Sequence, residues 1–342
     1  MNSTSLVNVF RGNLIESSHR GHVAVVDKKG QLLYYAGNPD EIVFARSSMK
    51  PIQTIPVVET GAAGHYELSD ADLSLCCASH NGENMHTNRV LTILDRAGME
   101  ETCLKCGTHP PRWQDKYEEL IRNGKEITPQ YNNCSGKHTG MLVTAKHMNE
   151  PINNYYELDH PVQQRILSAV SEMTEYPKEK IEIGIDGCGV PVHGVPLVNL
   201  ALGFAKLAMP DNLPEKRRLA IKKITQAMVN APEMVAGTER FCSDFMRVGK
   251  GRFVGKVGAE GVYCIGDLVT GLGIAIKIED GNSRAVYPAA MEVLKELQLF
   301  TDQQIDELKD HYRPKLRNAR SEVVGELVAN FKLQNAVATL QV

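Results

Sequence analysis

Arg252-Phe253-Val254-Gly255-Lys256-Val257-Gly258-Ala259-Glu260-Gly261-Val262-Tyr263-Cys264-Ile265-Gly266, with the apolar run that follows at 271–278, decides the fold. Residues 252–257, 261–266 and 271–278 are short apolar runs separated by glycine turns, which predicts an antiparallel meander. Working outward, His22-Val23-Ala24-Val25-Val26-Asp27 and Gln31-Leu32-Leu33-Tyr34-Tyr35-Ala36 flank Lys28-Lys29-Gly30 and read as a hairpin. A last strand is predicted at 322–328 and a lone one at 181–185. Between the terminal strand groups the spacing is helical. Helices are predicted from the Lys50 region to near Gly61 with a bend at Pro56, then over 85–98, 114–123 and from Thr139 to about Met148. Others fall at 159–174 (capped by Asp159, with Pro161 in the first turn), 197–208, 215–231, 285–298 and 302–312. Strands at both ends around a helical middle predict an α+β chain. Its antiparallel sheet pairs the two ends of the sequence, is flanked by helices, and carries an inserted helical lobe. The expectation is one domain over 1–342, with a sheet lobe from about 1–80 and 250–342 and a mainly helical lobe at about 81–249.

The chain has 342 residues, a formal net charge of −3, 42% hydrophobic and 23% charged residues. That near-neutral balance argues against nucleic acid as a partner, which would favour a basic face. No run of apolar residues is long enough for a membrane span. The start, Met1-Asn2-Ser3-Thr4-Ser5-Leu6-Val7, lacks the basic-then-apolar build of a secretory signal, so a cytoplasmic location is expected. In that setting the eight cysteines are expected as thiols or ligands rather than disulfides.

Three signatures follow one another: Ser47-Ser48-Met49-Lys50, Ser79-His80-Asn81 and Lys256-Val257-Gly258. As S-x-x-K, S-x-N and K-x-G they are the parts of serine acyl-transfer enzymes that use lysine as base. A serine hydroxyl attacks only when a neighbour takes its proton. Lysine does so only if burial or a second cation loosens its own. Lys50 and Lys256 are candidates to supply that cation for each other. Any one signature is cheap, since roughly one S-x-x-K is expected by chance in such a chain; their order and their places beside apolar runs give them weight.

A second constellation joins Cys134-x-x-Lys137-His138 to Asp186-Gly187-Cys188-Gly189. Thiolates from two segments suit zinc, while lysine ligates only after losing its proton. The alternative is that Cys134 and Cys188 are small buried hydrophobes. Cys103-x-x-Cys106 lacks a second knuckle and a thioredoxin-like context, and reads as structural or incidental.

Together, Arg46-Ser47-Ser48-Met49-Lys50-Pro51, Ala78-Ser79-His80-Asn81-Gly82-Glu83, Asn133-Cys134-Ser135-Gly136-Lys137-His138, Asp186-Gly187-Cys188-Gly189 and Lys256-Val257-Gly258-Ala259-Glu260-Gly261 resemble the rhizobial-type L-asparaginases, the asparaginase II family. The likeness runs from about residue 7 to the last segment. It implies an amidohydrolase that releases ammonia from L-asparagine, on a fold similar to serine β-lactamases and glutaminases. It implies two catalytic pairs, Ser47 with Lys50 and Ser79 with Lys256, and a zinc ion held by Cys134, Lys137 and Cys188 with Asp186 close by. For the substrate's α-carboxylate the candidates are Arg46 and His138, for its ammonium Asp186 and Glu83, and Asn81 is carried as a further substrate contact. The resemblance also implies a homodimer. Two rival readings are a β-lactam- or peptide-directed serine hydrolase and a non-catalytic zinc-binding protein on the same fold.

Overall fold

A computed structural model describes residues 3–336. Its strands in chain order are β1 (Thr4–Arg11), β2 (Leu14–Val26), β3 (Leu32–Ala36), β4 (Ile42–Phe44), β5 (Glu182–Ile185), β6 (Pro191–Pro196), β7 (Phe253–Gly258), β8 (Val262–Asp267), β9 (Gly273–Ile278), β10 (Lys315–Arg317), β11 (Val323–Ala329) and β12 (Gln334–Asn335). The chain divides into two units. The sheet unit holds the described residues as far as Ser48, 195–209, and those from Phe245 onward; the helical unit holds Met49–Gly194 and Pro210–Asp244.

In the sheet unit the strands run β10-β11-β1-β2-β9-β8-β7, with β3 pairing β2 and β12. All pairings are antiparallel, and the ends of the sequence meet twice. Val9 lies opposite Leu327 across β1 and β11, and Val23 opposite Ile276 across β2 and β9. The meander of β7, β8 and β9 sits where the glycine spacing predicts it. Two glycines let a helix lie close on this sheet. A Cβ at Gly266 would stand 2.7 Å from the Phe204 carbonyl oxygen, and one at Gly273 would collide with the Ala201 carbonyl, both on the helix Leu197–Ala208. Side chains alternate along β8, so Tyr263 points to the other face, where its ring meets Tyr287 of the helix Ser283–Glu296 at 6.0 Å. The predicted 302–312 helix is two pieces, Asp302–Glu307 and Lys309–Tyr312.

In the helical unit, the segment after Lys50 is broken into Lys50–Gln53 and Ile55–Glu59, each with a proline in its first turn. The apolar run 71–78 is the helix Asp70–Cys76, started by a reciprocal cap between Ser69 and Asp72. Two sequence readings need correction. The helix expected from Thr139 begins at Ser135 and ends at His147. Gly136 is not a turn residue: a Cβ there would stand 2.7 Å from Leu75 Cγ, and one at Gly140 3.0 Å from Cys76 Sγ, so both let this helix press on Asp70–Cys76. The cap of Pro161–Thr174 is His160, whose ring accepts the Val162 N–H, rather than Asp159. Among the described residues no helix is long and apolar enough to cross a membrane.

Candidate active site

Ser79 sits just past the end of Asp70–Cys76, fixed by its own N–H donating to Val235 O at 2.9 Å. The turn beyond it is held by His80. Its Nδ1 accepts the Gly82 N–H at 3.2 Å, so the ring proton is on Nε2 and is donated to Ser135 Oγ at 2.9 Å. Ser135 passes its own proton to Gln130 O at 3.0 Å. Burial, then the charges of His86 and Lys50, hold His80 well below its ordinary pKa, which keeps it neutral. The Ser79–Asn81 turn is thereby tied to the first residue of the helix Ser135–His147.

Lys50 opens the helix Lys50–Gln53 and is fully buried. Its Nζ donates to Ser79 Oγ at 3.0 Å, to Cys134 Sγ at 3.2 Å and to the Ala78 carbonyl oxygen. An ammonium has three protons, and all three are placed. When the amine is neutral, the contact to Ser79 is the path by which that hydroxyl's proton can be taken.

Cys134 is the residue before the helix Ser135–His147, with its N–H donated to Asn132 Oδ1 at 2.8 Å. Asn132 in turn donates to Cys106 O at 2.8 Å, and the Asn133 N–H goes to His109 Nε2 at 2.9 Å. The segment carrying Cys103 and Cys106 is thus the backbone scaffold for Cys134, a role the cysteine spacing did not disclose. Cys188 comes from the turn between β5 and β6. Asp186 N–H donates to Val190 O at 2.9 Å and Gly189 N–H to Asp186 O at 2.8 Å, with Gly189 at φ +85° where a side chain would be strained. Lys137 Nζ donates to Cys188 Sγ at 3.1 Å.

The two thiols are hydrogen-bonded to each other and titrate in opposite directions. The Cys134 bond, opposed by burial and assisted by Lys137, pulls Cys188 down to about 5. The same bond and burial push Cys134 up to about 12. Burial works to lower Lys137, but the sulfurs of Cys188 and Cys134 and then Asp186 prevail and raise it above its ordinary value. At neutral pH the cluster therefore holds a Cys188 thiolate between an ammonium and a thiol. Burial, then Lys137, pushes His138 down to about 3.

Among the described residues, no three His, Cys, Asp or Glu side chains are grouped as ligands for one metal. The donors that converge are two thiols, one of them already ionised, and the Lys137 amine. This set fits a tetrahedral, sulfur-loving ion such as zinc, on condition that the ion displaces the Lys137 proton.

The helical unit gathers Lys50, Ser79, Cys134, Lys137, His138, Asp186 and Cys188. Asn81 and Glu83 lie there too but are committed elsewhere. Glu83 receives the Thr238 N–H and hydroxyl, both at 2.8 Å, and Asn81 packs on Gly237, where its side chain leaves no room for a Cβ. Arg46, Ser47 and Lys256 belong to the sheet unit. Arg46 has φ +51° and faces Glu260 at 3.9 Å, and Ser47 is half-buried in the 3₁₀ turn Arg46–Met49. Ser48 Oγ donates to Ala45 O at 2.7 Å. A Cβ at Gly258 would stand 2.5 Å from Ala45 O and 3.2 Å from Ser48 N, so the serine turn rests directly on the end of β7. Lys256, fully buried, lies opposite Cys264 and donates to Val257 O at 2.8 Å. Burial pushes the Cys264 thiol up to about 12.

Sequence reading missed His80, Ser135, Asn132 and Tyr155, all of which hold site residues in place. Asn132 alone carried a signal, as an Asx residue two positions before the N–H it caps.

A family model described as L-asparaginase II matches residues 7–329 of this chain. No curated protein matches it in sequence. Among solved structures it is similar to a beta-lactamase from Mycobacterium bovis, with 13% identity and a TM-score of 0.40 over 85% of this chain and 95% of that one. It is also similar to the D-alanine carboxypeptidase AmpC from Burkholderia cenocepacia, with 16% identity and a TM-score of 0.38 over 80% and 93%.

Proposed function

This chain belongs to the L-asparaginase II family, and from that premise we propose that it hydrolyses the side-chain amide of L-asparagine to aspartate and ammonia by serine–lysine acyl transfer. The observation that carries the proposal is the buried 3.0 Å hydrogen bond between Lys50 Nζ and Ser79 Oγ. It supplies a proton path between an amine and a hydroxyl with no water needed in between. In this reading Ser47 Oγ attacks the amide carbon as Lys50 takes its proton. The C–N bond breaks as nitrogen receives that proton by way of Ser79, and ammonia leaves. Water then attacks the acyl-enzyme, its proton returns along the same path, and aspartate departs with Ser47 restored. Ser47 and Lys256 take their roles from the family resemblance, which pairs Ser47 with Lys50 and Ser79 with Lys256.

For recognition we assign the α-carboxylate to Arg46 and His138 and the α-ammonium to Asp186. Glu83, engaged by Thr238, is left to hold the turn that bears Asn81. Cys134, Lys137 and Cys188 would hold zinc, which when bound supplies a fixed positive charge able to polarise an oxygen and keep both sulfurs ionised. The family resemblance also leads us to propose a homodimer, read by light scattering as twice the 37.8 kDa chain mass, in the cytoplasm.

The test measures ammonia release from asparagine, glutamine and a plain amide by the wild type, Ser47→Ala and Ser79→Ala, with mass spectra of quenched turnover. The expected result is near-background release by Ser47→Ala and an acyl adduct on the Ser47 peptide. An adduct on the Ser79 peptide transfers the nucleophile's role to Ser79. No ammonia from any amide defeats the proposal.

A further inference from the structure

Tyr155 is fully buried, and its hydroxyl oxygen makes two hydrogen bonds. It accepts the Lys105 backbone N–H at 2.9 Å, and it lies 2.6 Å from His138 Nδ1. An oxygen that accepts from Lys105 gives its own proton to the remaining partner, so Tyr155 donates to Nδ1. An imidazole whose Nδ1 accepts carries its proton on Nε2. That second nitrogen is buried and has no hydrogen-bond partner. His138 stands one turn after Cys134 on the same helix, with its N–H on Cys134 O at 3.0 Å. The charged groups acting on its ring are Lys137, Cys134, Lys50 and Asp186. A buried donor left unsatisfied is costly, a cost removed when a ligand supplies the acceptor.

We propose that Tyr155 is a positioning residue that locks His138 in the Nε2–H tautomer, so that His138 offers a buried N–H to a carboxylate bound at the Lys50–Lys137 cluster. A buried N–H is best satisfied by a charged acceptor, and a carboxylate accepts more strongly than a neutral carbonyl. The backbone N–H that fixes the tautomer belongs to Lys105, between Cys103 and Cys106, which gives that loop a second purpose. Only the kinetic part of the test rests on the proposed amidohydrolase activity.

The protein, labelled with ¹⁵N-histidine, is examined by long-range ¹H–¹⁵N correlation, with the His138 signals among the 11 histidines identified by their loss in His138→Gln. The expected spectrum shows a bare Nδ1 and a protonated Nε2, and adding L-aspartate shifts Nε2. In Tyr155→Phe the ring becomes a mixture of tautomers. The KM for asparagine rises about fivefold, as for one hydrogen bond lost, and kcat stays within about twofold. A plain amide lacking the α-carboxylate is processed unchanged by that variant. A proton on Nδ1 in the wild type, or an Nε2 indifferent to aspartate, overturns the proposal. The wild-type spectra report the tautomer whether or not Tyr155→Phe folds. If no amide is hydrolysed, the activity proposal alone fails, and the spectra still decide the tautomer.

Discussion

Lys50 and Cys188 are the two residues on which the chemistry of the helical unit turns, and each gives a separate prediction. Replacing Lys50 by Ala leaves Ser79 Oγ, Ala78 O and Cys134 Sγ without their donor. Ammonia release should fall by about 10²–10⁴-fold, the usual worth of a positioned acid–base group. Thermal unfolding should shift down by the equivalent of about 1–3 kcal/mol for the buried acceptors left bare. Activity within tenfold of the wild type would remove Lys50 from the mechanism. For Cys188, the thiolate ultraviolet absorbance of the metal-free protein should appear with a midpoint near pH 5. A thiol whose folded pKa is depressed stabilises the fold above its unfolded value, and that stability drains away as pH falls through about 5. Since the hydrogen bond from Cys134 is the largest cause, Cys134→Ala should move the midpoint upward. A midpoint unchanged by that substitution refutes the assignment. Sequence showed that Lys50, Cys134, Lys137 and Cys188 carry chemistry. It could not show that Lys50 touches Ser79 and Cys134, because those contacts span 29 and 84 positions.

At the scale of elements, glycine is where sequence reading went astray and where a mutation is most informative. Gly136 stands before the helix expected at Thr139 and Gly140 inside it, but both are contact points within a helix that begins at Ser135. A missing side chain reads the same in sequence whether it serves a turn or a close approach; only the packing partner tells them apart. The 22–36 hairpin and the β7–β9 meander were easier, since period-two alternation and glycine turns are local signals, whereas β1, β4, β6, β10 and β12 were not anticipated. The end of β7 shows the packing use of glycine once more. Gly258→Ala places a methyl 2.5 Å from the Ala45 carbonyl oxygen, so the Arg46–Met49 turn must back away from the strand. Overpacking of this kind costs about 1–3 kcal/mol. If the serine turn matters for acyl transfer, kcat for ammonia release should drop by up to about 10²-fold, the cost of a 1 Å misplacement, while the fold survives a thermal scan. A variant with full kcat and the expected loss of stability would show that the turn's position is not critical.

Across the whole molecule, the pairing of the chain's two ends into one antiparallel sheet was legible from the order of strand-like and helix-like runs. The polar interior was not, because burial of a histidine leaves no mark in its own sequence neighbourhood. His80, His138 and His193 are each almost completely inaccessible. His193, on β6, has no hydrogen-bond partner on either ring nitrogen. Burial, then Lys137, pushes it down to about 4, and burial likewise lowers His138 to about 3. In the unfolded chain such rings take up protons near pH ~6.5. Between that value and about 4 the unfolded state binds more protons than the folded one, so stability must fall as pH falls across this window. For His193 the loss amounts to roughly 3 kcal/mol, from about 2.5 units at 1.36 kcal/mol each. Set against a total of about 5–15 kcal/mol for a typical domain, two or three such rings remove a large share of the stability by the time pH reaches about 4. Urea midpoints measured from pH 7 down to 4 should therefore decline steadily below pH ~6.5. His193→Phe keeps a flat ring, somewhat larger than imidazole, and removes two unsatisfied nitrogens and the group that titrates, so its decline should be shallower than that of the wild type. A wild-type profile flat between pH ~6.5 and ~4.5 would mean that these rings are hydrated or charged in the folded protein, and the neutral state inferred for His80, His138 and His193 would have to be abandoned.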